Sequence, residues 1–371
     1  MNLFIEPTDV WLFRTGRPFA AGDQARAASI FPPTPRTVQG ALRSARLGQS
    51  GEPFDYRQWS DALKAEIGQP DNFGALQVRG PLLAQRQDDG TVKRFFPLPA
   101  DVTKLNTGWH ILAPQVNADF AANWQGNLWP LLPLANSEPE KFEGGWLCED
   151  GLQAYLAGHI CGLHIHPARQ LFEREPRTGV QIESGPKKPS EGNLYQVEFM
   201  RLAENVGLLV DAQGLSLEDN GWLQLGGEAR AGRYATVTTG LDLPPGQRLA
   251  GHAPLRFKLY LATPAIFRQG WLPQAFTLHT DGSYQGSWRG INLKLVAAAL
   301  GKTQSIGGRD IAQRDQQRAM HRAVPAGSVY FFEVTNTQQT AQEVFAAFDG
   351  ARVSDADAEI GFGLGYVGGW Q

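Results

Sequence analysis

The chain has 371 residues and a formal net charge of −3, from 34 lysines and arginines against 37 aspartates and glutamates. This length predicts two domains, and the slightly acidic balance excludes a protein that coats nucleic acid indiscriminately, although it leaves room for local basic patches. Two cysteines are too few for a disulfide framework, which predicts a cytoplasmic protein. Neither a signal peptide nor a membrane span is expected, since no apolar run is long enough.

The first segment predicts a strand and then a basic turn. The strand is expected at Asn2–Ile5 or Asp9–Phe13, and the turn R-T-G-R-P-F after it carries Arg14 and Arg17. The prolines of F-P-P-T-P block a helix, so Thr37 is the expected N-cap of the first helix, which runs to about residue 47.

This helix presents arginines opposite its apolar side. On a helical wheel Arg36 and Arg43 lie opposite the face of Val38 and Leu42, with Gly40 beside them. A solvated helix face would show this pattern. A phosphate-binding surface would show it too, because the guanidinium fork suits phosphate and a glycine lets a backbone come close. The helix by itself leaves both interpretations open.

The next part of the chain predicts strands interrupted by an insertion. Strands are expected at Ala75–Arg79 and Arg94–Leu98, and a helix at about Asp150–Ala157. Between them residues 108–146 are rich in tryptophan and proline, which predicts irregular structure or an insertion with an aromatic cluster of its own.

A run rich in histidine follows this helix. His159, Cys161, His164 and His166 lie within eight positions, which is enough ligand chemistry for a metal ion. However, His164 and His166 alternate with apolar residues, as in a strand with one polar face, and no second ligand pair follows, so no metal site is predicted. A general-acid histidine in an RNA-cleaving site is the alternative, because imidazole titrates near neutrality.

The following segment predicts a protruding basic hairpin with a tip at about residues 184–192, and strands at Tyr195–Arg201 and Val206–Asp211. An ordinary solvated hairpin and an RNA-contacting hairpin fit this composition equally well. The basic residues of the hairpin region are Arg169, Arg174, Arg177, Lys187 and Lys188.

A second pairing of glycine with arginine occurs in L-G-G-E-A-R-A-G-R, which holds Gly226, Gly227, Arg230 and Arg233. The turn-rich stretch Leu241–His252 after it is the best domain boundary in the chain. The sequence therefore predicts an N-terminal domain over residues 1–244, with the Trp/Pro-rich insertion and the basic hairpin, and a C-terminal domain over residues 245–371.

The C-terminal domain predicts the order strand, insertion, strand, basic loop, strand, helix, strand. This order approximates a ferredoxin-like β-α-β-β-α-β unit whose first crossover has been replaced or elongated. The basic loop spans Lys302–Arg322 and includes Arg309. The predicted elements are the strands Leu255–Thr263, Ser328–Val334 and Ile360–Tyr366 and the helix Thr340–Phe348. The apolar run Ile291–Ala299 is counted as the second strand, although its periodicity alone fits a strand or a helix.

A glycine-rich tail belongs to this domain. In I-G-F-G-L-G-Y, Gly361, Gly363 and Gly365 alternate with large apolar residues, which gives an extended chain a bare face that a strand, a helix or a phosphate can approach. Residues 363–368 match the dinucleotide fingerprint G-x-G-x-x-G, but that motif needs a following helix, and only three residues follow, so no cofactor is predicted. A tightly packed terminal strand is the alternative interpretation.

Five stretches together resemble one family. They are D-V-W-L-F-R-T-G-R-P-F, F-P-P-T-P-R-T-V-Q-G-A-L-R, L-G-G-E-A-R, V-P-A-G-S-V-Y-F-F and G-F-G-L-G-Y. In combination they resemble the third subunit of the Cmr complex, the type III-B CRISPR effector, which belongs to the RAMP superfamily. The resemblance covers both ends and the middle of the chain and is weakest over residues 105–150.

The resemblance implies an α+β fold with two ferredoxin-like, or RRM-like, domains that carry β-hairpin and loop insertions. It implies a non-catalytic cytoplasmic subunit in antiviral defence, which binds the 5′ handle of the CRISPR RNA and links the large polymerase-like subunit to the backbone subunits. By motif position, the RNA-contacting elements would be the first helix, the hairpin and the glycine-rich loop. The RNA-binding residues expected in all are Arg14, Arg17, Arg36, Gly40, Arg43, Arg169, Arg174, Arg177, Lys187, Lys188, Arg230, Arg233, Arg309, Gly361, Gly363 and Gly365.

Two other functions stay open. One is a metal-independent RAMP endoribonuclease that processes CRISPR RNA with a histidine such as His159, His164 or His166, and the other is an adaptor that contacts only proteins. RRM-like modules usually stack bases on exposed sheet aromatics, but the candidates at Tyr330–Phe332 lie in an apolar run. Backbone and shape contacts are therefore expected to dominate RNA binding.

Overall fold

The computed structural model describes residues 1–14, 26–27, 29–70, 72–116, 125–133, 140, 142, 144–159, 163–182, 189–244, 248–249, 254–308 and 319–370. Within these ranges the chain is rich in antiparallel sheet and poor in helix, which agrees with the predicted mixture of strands and helices. The helices are α1 (Pro35–Ser50), α2 (Asp61–Ile67), α3 (Glu149–Leu156) and α4 (Ala341–Phe348), with 3₁₀ turns at Tyr56–Gln58, Ala168–Gln170 and Ala358–Ile360. No helix in the described ranges combines the length and apolar character needed to cross a bilayer.

The strands up to the long hairpin are β1 (Asn2–Pro7), β2 (Arg26–Ala27), β3 (Gln77–Arg86), β4 (Val92–Pro97), β5 (Val102–Leu105), β6 (Gly108–Ile111), β7 (Ala113–Pro114), β8 (Leu131–Leu132), β9 (Gly145–Cys148), β10 (Ile165–Pro167), β11 (Phe172–Ile182) and β12 (Pro189–Leu202). The strands after it are β13 (Val206–Gln213), β14 (Asn220–Gln224), β15 (Ala231–Val237), β16 (Arg256–Leu261), β17 (Phe276–Leu278), β18 (Tyr284–Trp288), β19 (Ile291–Ala299), β20 (Gln304–Ile306), β21 (His321–Ala323), β22 (Val329–Val334) and β23 (Gly365–Gly369).

Two predicted element ends need correction. Helix α1 begins at Pro35, with Thr34 rather than Thr37 as its N-cap, because proline at the first helical position sacrifices no helical hydrogen bond. The final strand is β23, Gly365–Gly369, instead of Ile360–Tyr366, since the chain first makes a 3₁₀ turn that ends at Gly361 with a φ of 111°. Most other predicted elements lie within a few residues of their observed positions.

The chain folds as two compact units, each built from three separate segments. Unit 1 comprises Met1–Val92, Ala168–Gly240 and Ser305–His321, and unit 2 comprises Lys93–Pro167, Leu241–Gln304 and Arg322–Gln371. The change of unit after Gly240 lies near the boundary placed at residues 244 and 245. The Trp/Pro-rich segment, which the sequence prediction assigned to the N-terminal domain, belongs to unit 2.

In unit 1, five strands lie side by side in the order β3-β13-β1-β15-β14, each antiparallel to its neighbours. Strands β11 and β12 form a separate long antiparallel hairpin, and β2 runs parallel to β12. Helix α1 contacts the sheet through its apolar side, on which Val38 and Leu42 are fully buried. From the end of α1, the Gln49 amide donates a hydrogen bond of 2.7 Å to the hydroxyl of Tyr234 on β15.

In unit 2, six antiparallel strands have the order β17-β18-β19-β22-β16-β23, and β10, β9 and β4 lie side by side. Helix α4 covers one face of the six strands, where Val344 and Phe348 join the core with Phe257 and Phe332. Its N-terminus has a capping box, because Thr340 and Glu343 satisfy each other's backbone N–H groups. This face is therefore a closed apolar core.

The opposite face of this sheet buries a lysine. Lys258 on β16 is 1 % exposed, and its Nζ lies 3.5 Å from the ring centroid of Tyr155 on α3. The Tyr155 hydroxyl bonds the carboxylate of the buried Asp101, 2.7 Å from Oδ1 and 2.8 Å from Oδ2. Burial lowers the pKa of Lys258 to about 8, against the opposing charge of Asp101, and burial raises the pKa of Asp101. Both faces of the unit 2 sheet are thus covered.

Because of Lys258, we expect the free energy of unfolding to rise by about 2 kcal/mol between pH 8 and pH 10. The lysine has a pKa near 10.5 when unfolded and about 8 when folded, so in this interval the unfolded state binds more protons and higher pH favours folding. Above pH 10 the raised pKa values of buried Tyr155 and Tyr260 act in the opposite direction. Urea unfolding at several pH values should show the rise in the wild type and its loss in Lys258→Met.

The exposed Lys302, also in unit 2, supplies the matched control for this measurement. Lys302→Met removes the same charge from the surface and should keep the rise. If Lys258→Met unfolded with the same pH dependence as the wild type, the lysine would not be the group that titrates.

Candidate nucleic-acid interface

Three segments that are distant in sequence meet at the base of the β11–β12 hairpin in unit 1. The N–H of Trp11 donates to the carbonyl of Met200 on β12 at 3.0 Å, and the N–H of Met200 donates back at 2.8 Å. The N–H of Gly227, in the turn between β14 and β15, donates to the carbonyl of Leu12 at 2.8 Å. The motifs D-V-W-L-F-R and L-G-G-E-A-R are therefore neighbours in the folded chain.

A small apolar cluster supports this junction. It consists of Val10 and Leu12 from the first motif and Val197 and Phe199 from β12, all buried. Gly226 has a φ of 92°, and a Cβ on it would lie 2.6 Å from the carbonyl oxygen of Leu12. The turn therefore requires glycine at this position for both its conformation and its close contact.

Three arginines and three carboxylates lie on this apolar support, and we call them the arginine cluster. Its members are Arg177, Arg201, Arg230, Asp9, Glu175 and Glu228. Glu175 is 2.6 Å from nitrogens of both Arg177 and Arg201, and Asp9 is 3.2 Å from Arg201. The guanidinium carbons of Arg177 and Arg230 lie 4.7 and 4.8 Å from the ring centroid of Phe199.

The cluster is formally neutral and accessible to solvent. Hydrogen bonds from Arg201 and Arg177 lower the pKa of Glu175, so this carboxylate is ionised at neutral pH. The side chains of Arg177 and Arg201 are 38 % and 46 % exposed, so their ion pairs are screened by water. A phosphate can therefore replace a carboxylate around guanidinium groups that are already oriented.

Arg174 lies on the other face of the hairpin and has a structural partner. It forms an ion pair with Glu198, whose side chain is 4 % exposed, and donates a hydrogen bond of 3.3 Å to the carbonyl of Ser29. A buried carboxylate is costly without a cation, so Arg174 stabilises the hairpin. Half of its own side chain is still exposed.

The arginines of α1 hold loops of unit 1. Arg36 donates to the carbonyl of Gly307 at 3.5 Å, and Arg43 donates to that of Gln69 at 3.1 Å. A Cβ added to Gly40 would meet no described atom within 4 Å. The helix therefore keeps an open backbone surface at Gly40, as the sequence predicted, although its two arginines point to separate loops.

The glycine-rich tail lies in unit 2 and is packed. Gly361, Gly363 and Gly365 are all buried, and a Cβ on Gly363 would lie 2.5 Å from the backbone nitrogen of Ser354. The N–H of Gly363 donates to the carbonyl of Pro264, and its own carbonyl accepts from Val353, both at 2.8 Å. Intramolecular packing thus accounts for the bare face without a ligand, and an RNA contact by these glycines stays a prediction.

Two rings of the histidine run are in contact with each other. The rings of His164 and His166 lie 4.3 Å apart edge to face, and the ring of Phe95 is 5.2 Å from that of His166. Among the described residues no group of three His, Cys, Asp or Glu side chains is arranged to hold a metal ion. Cys161 lies outside the described residues.

The family follows from comparison of the sequence with known proteins. The model of the family described as CRISPR-associated protein (Cas_Cmr3) matches residues 3–370. The chain belongs to the Cas_Cmr3 family. This assignment confirms the family predicted from the five sequence stretches, the third subunit of the type III-B Cmr complex. No curated protein matches the chain.

Solved structures show distant similarity to this Cas_Cmr3 chain. A cryo-EM structure of the Type III-B Cmr-beta bound to cognate target RNA and AMPPnP matches with 14 % identity and a TM-score of 0.49, over 98 % of this chain and 95 % of the other. The same complex with cognate target RNA matches with 14 % identity, a TM-score of 0.48 and the same coverage. A crystal structure of a Csm3-Csm4 subcomplex from type III-A matches with 11 % identity and a TM-score of 0.35, over 91 % of this chain and 95 % of the other.

The predicted basic residues of the Cas_Cmr3 chain are spread over several places. Arg177 and Arg230 meet in the arginine cluster, whereas Arg14, Arg169 and Arg233 are exposed at other positions of unit 1. Arg17, Lys187, Lys188 and Arg309 lie outside the described residues.

Sequence reasoning missed Arg201 and Asp9 as members of the cluster. Both lie in segments that it recognised. Arg201 reaches the cluster through the register of β11 with β12, which sets Glu173 opposite Arg201 and Glu175 opposite Phe199, and Asp9 reaches it through the pairing of Trp11 with Met200. An alternating pattern of Glu173, Glu175 and Arg177 on one face of β11 was the available signal.

Proposed function

We propose that this Cas_Cmr3 protein is a non-catalytic subunit of a type III-B Cmr effector, which binds the 5′ handle of the CRISPR RNA and links the large subunit to the backbone subunits. The observation that carries the proposal is the arginine cluster, where two motifs of the family meet the basic hairpin. The guanidinium groups there are partly exposed and already oriented, which suits a chain of phosphates. The protein acts in the cytoplasm in antiviral defence.

We further infer that each unit is a ferredoxin-like domain with one helix replaced. In unit 1 we number the strands β1, β3, β13 and β15 from 1 to 4 in chain order, and their order in the sheet is then 2-3-1-4, with antiparallel neighbours. In unit 2 the order is the same for the strands β16, β19, β22 and β23. Unit 1 has α1 at the first crossover and β14 in place of the second helix, whereas unit 2 has the β17–β18 hairpin at the first and α4 at the second. This order supports the predicted RRM-like architecture.

The binding experiment uses the full chain and labelled RNA that carries the 5′ handle, with a scrambled RNA of equal length as control. We expect handle-dependent binding that weakens on the order of a thousandfold between 50 and 200 mM salt, if about six arginines contact phosphates. Binding that is insensitive to salt, or equal for both RNAs, would count against handle recognition.

The same protein and RNA also test the two alternative functions, an endoribonuclease and a protein-only adaptor. Metal-independent cleavage of the RNA that is lost on substitution of His164 or His166 would establish an endoribonuclease instead. Crosslinking to RNA in the assembled complex tests the alternative of a protein-only adaptor. RNA adducts on every subunit except this one would mean that this chain contacts only proteins.

A further inference from the structure

The sheet of unit 1 exposes a tryptophan on its edge strand. Trp222 on β14 is 65 % exposed, although most large apolar residues of the described chain are buried. In the sheet order, β14 is the end strand, and Trp222 pairs with Arg233 on β15, which in turn pairs with Glu6 on β1. Residues opposite each other in neighbouring strands project from the same face, so Trp222 and Arg233 are cross-strand neighbours on one face of the sheet.

This face is the one that α1 does not cover. Tyr234, the residue after Arg233, bonds Gln49 of α1, and a Cβ on its register partner Gly221 would lie 2.7 Å from its hydroxyl. Since successive side chains alternate between faces, Trp222 and Arg233 point away from α1. The helix-free face of a ferredoxin-like sheet is where RRM modules stack bases. In unit 1 this face is closed over the central strands, where Phe4 and Leu209 are fully buried, and it is exposed at the edge strand β14. In unit 2 the corresponding face is covered by α3.

Arg233 differs from the arginines of the cluster because no carboxylate of the described part of the chain is paired with it. Among the described residues it makes no hydrogen bond or ion pair, while its register partner Glu6 is paired with Arg86 at 3.3 Å. An exposed and uncompensated cation beside an exposed aromatic ring fits one nucleotide, with the base on the indole and its phosphate on the guanidinium.

The surroundings of Trp222 favour RNA over a protein partner. Its neighbours on β14 with the same orientation are Asn220 and Gln224, both exposed and polar. A protein interface would need a wider apolar patch than one ring bordered by polar groups. The chemistry of the pair is therefore that of a single-stranded nucleotide.

We propose that Trp222 and Arg233 form a base-stacking site for single-stranded RNA on the edge of the unit 1 sheet. This inference rests on the proposed function, which it deepens by naming a contact to a base. The expectation that backbone and shape contacts dominate RNA binding would then hold for the arginine cluster but not for this edge.

The test is a double-mutant cycle that removes the indole from the protein and the bases from the RNA. The full chain is titrated with a short labelled single-stranded RNA and with an abasic strand of the same length. Trp222→Ala should weaken binding of the RNA about 10-fold and leave binding of the abasic strand unchanged, since only the RNA can stack. Trp222→Phe should retain most of the affinity, and Arg233→Ala should weaken both strands. Phe54→Ala, at a 93 % exposed aromatic residue of the same unit, is the control and should change neither.

Any of the following results would overturn the proposal. Equal loss for both strands in Trp222→Ala would show that the indole supports the fold or the backbone contacts. Unchanged RNA binding in Trp222→Ala, with loss of a partner subunit in co-purification, would assign the ring to a protein. If the wild type binds RNA and Trp222→Ala binds it equally well, only this inference fails, whereas absence of RNA binding in the wild type removes the proposed function as well.

Discussion

Gly363→Ala is expected to lower the free energy of unfolding by about 3 kcal/mol or more. Gly363 has a φ of 74°, a region that alanine adopts only with strain, and the new methyl group would lie 2.5 Å from the Ser354 nitrogen and 3.1 Å from its Cα. The obstructing atoms belong to the backbone, so no side-chain rotation relieves the overlap. Urea unfolding followed by circular dichroism measures the loss.

Gly40→Ala is the matched control for this substitution. Gly40 lies inside α1, and a Cβ there meets no described atom within 4 Å. The same chemical change should therefore stabilise the protein, by about 0.5 to 1 kcal/mol, because alanine favours helix over glycine. Wild-type stability in Gly363→Ala would show that the tail adapts to a side chain and is not the tightly packed segment described above.

The arginine cluster predicts substitutions with opposite effects on RNA affinity. Arg177→Glu should weaken handle binding about 10-fold or more, because it removes a charged hydrogen-bond donor and repels phosphate. Asp9→Asn should strengthen binding, since Asp9 is within 3.2 to 3.8 Å of Arg201, Arg177 and Arg230 and competes with phosphate for them. Fluorescence anisotropy with handle RNA measures both changes.

A carboxylate in unit 2 controls for net charge. Glu333 pairs with Arg256 at 2.7 Å, so Glu333→Gln removes one negative charge from a similar ion pair outside the cluster. It should leave RNA affinity unchanged, because Glu333 pairs with none of the arginines of the cluster and does not compete with phosphate for them. If Asp9→Asn and Glu333→Gln raised affinity equally, the cluster would have no special part in binding.

Local patterns in the sequence predicted local elements well. The alternation in residues 255–263 predicted β16, the apolar run before Thr335 predicted β22, and the helix predicted at residues 340–348 is α4. These features depend on neighbours in the chain, so they are visible without a fold. The interleaving of the two units was not visible, because no local pattern records which distant segments pair.

In the candidate site, too, local signals were visible in the sequence and long-range contacts were not. Glycine and arginine in L-G-G-E-A-R pointed to Arg230, but its meeting with Asp9 depends on contacts across more than two hundred positions. For the tail, the sequence offered a ligand-binding face or a packed strand, and the choice depended on whether Ser354 filled the space beside Gly363. Trp222 was overlooked because exposure of an aromatic residue is decided by the position of its strand at the sheet edge.

The interleaved chain also matters for synthesis on the ribosome. In unit 1, β1 lies between β13 and β15, so this early strand stays unpaired until residues 206–237 have been translated. In unit 2, β16 lies between β22 and β23 and waits for residues 329–369. Each central strand therefore exposes two free backbone edges during translation, and such edges pair readily with other chains. A message truncated anywhere before residue 365 would yield a product prone to aggregate, even if it encodes the whole arginine cluster.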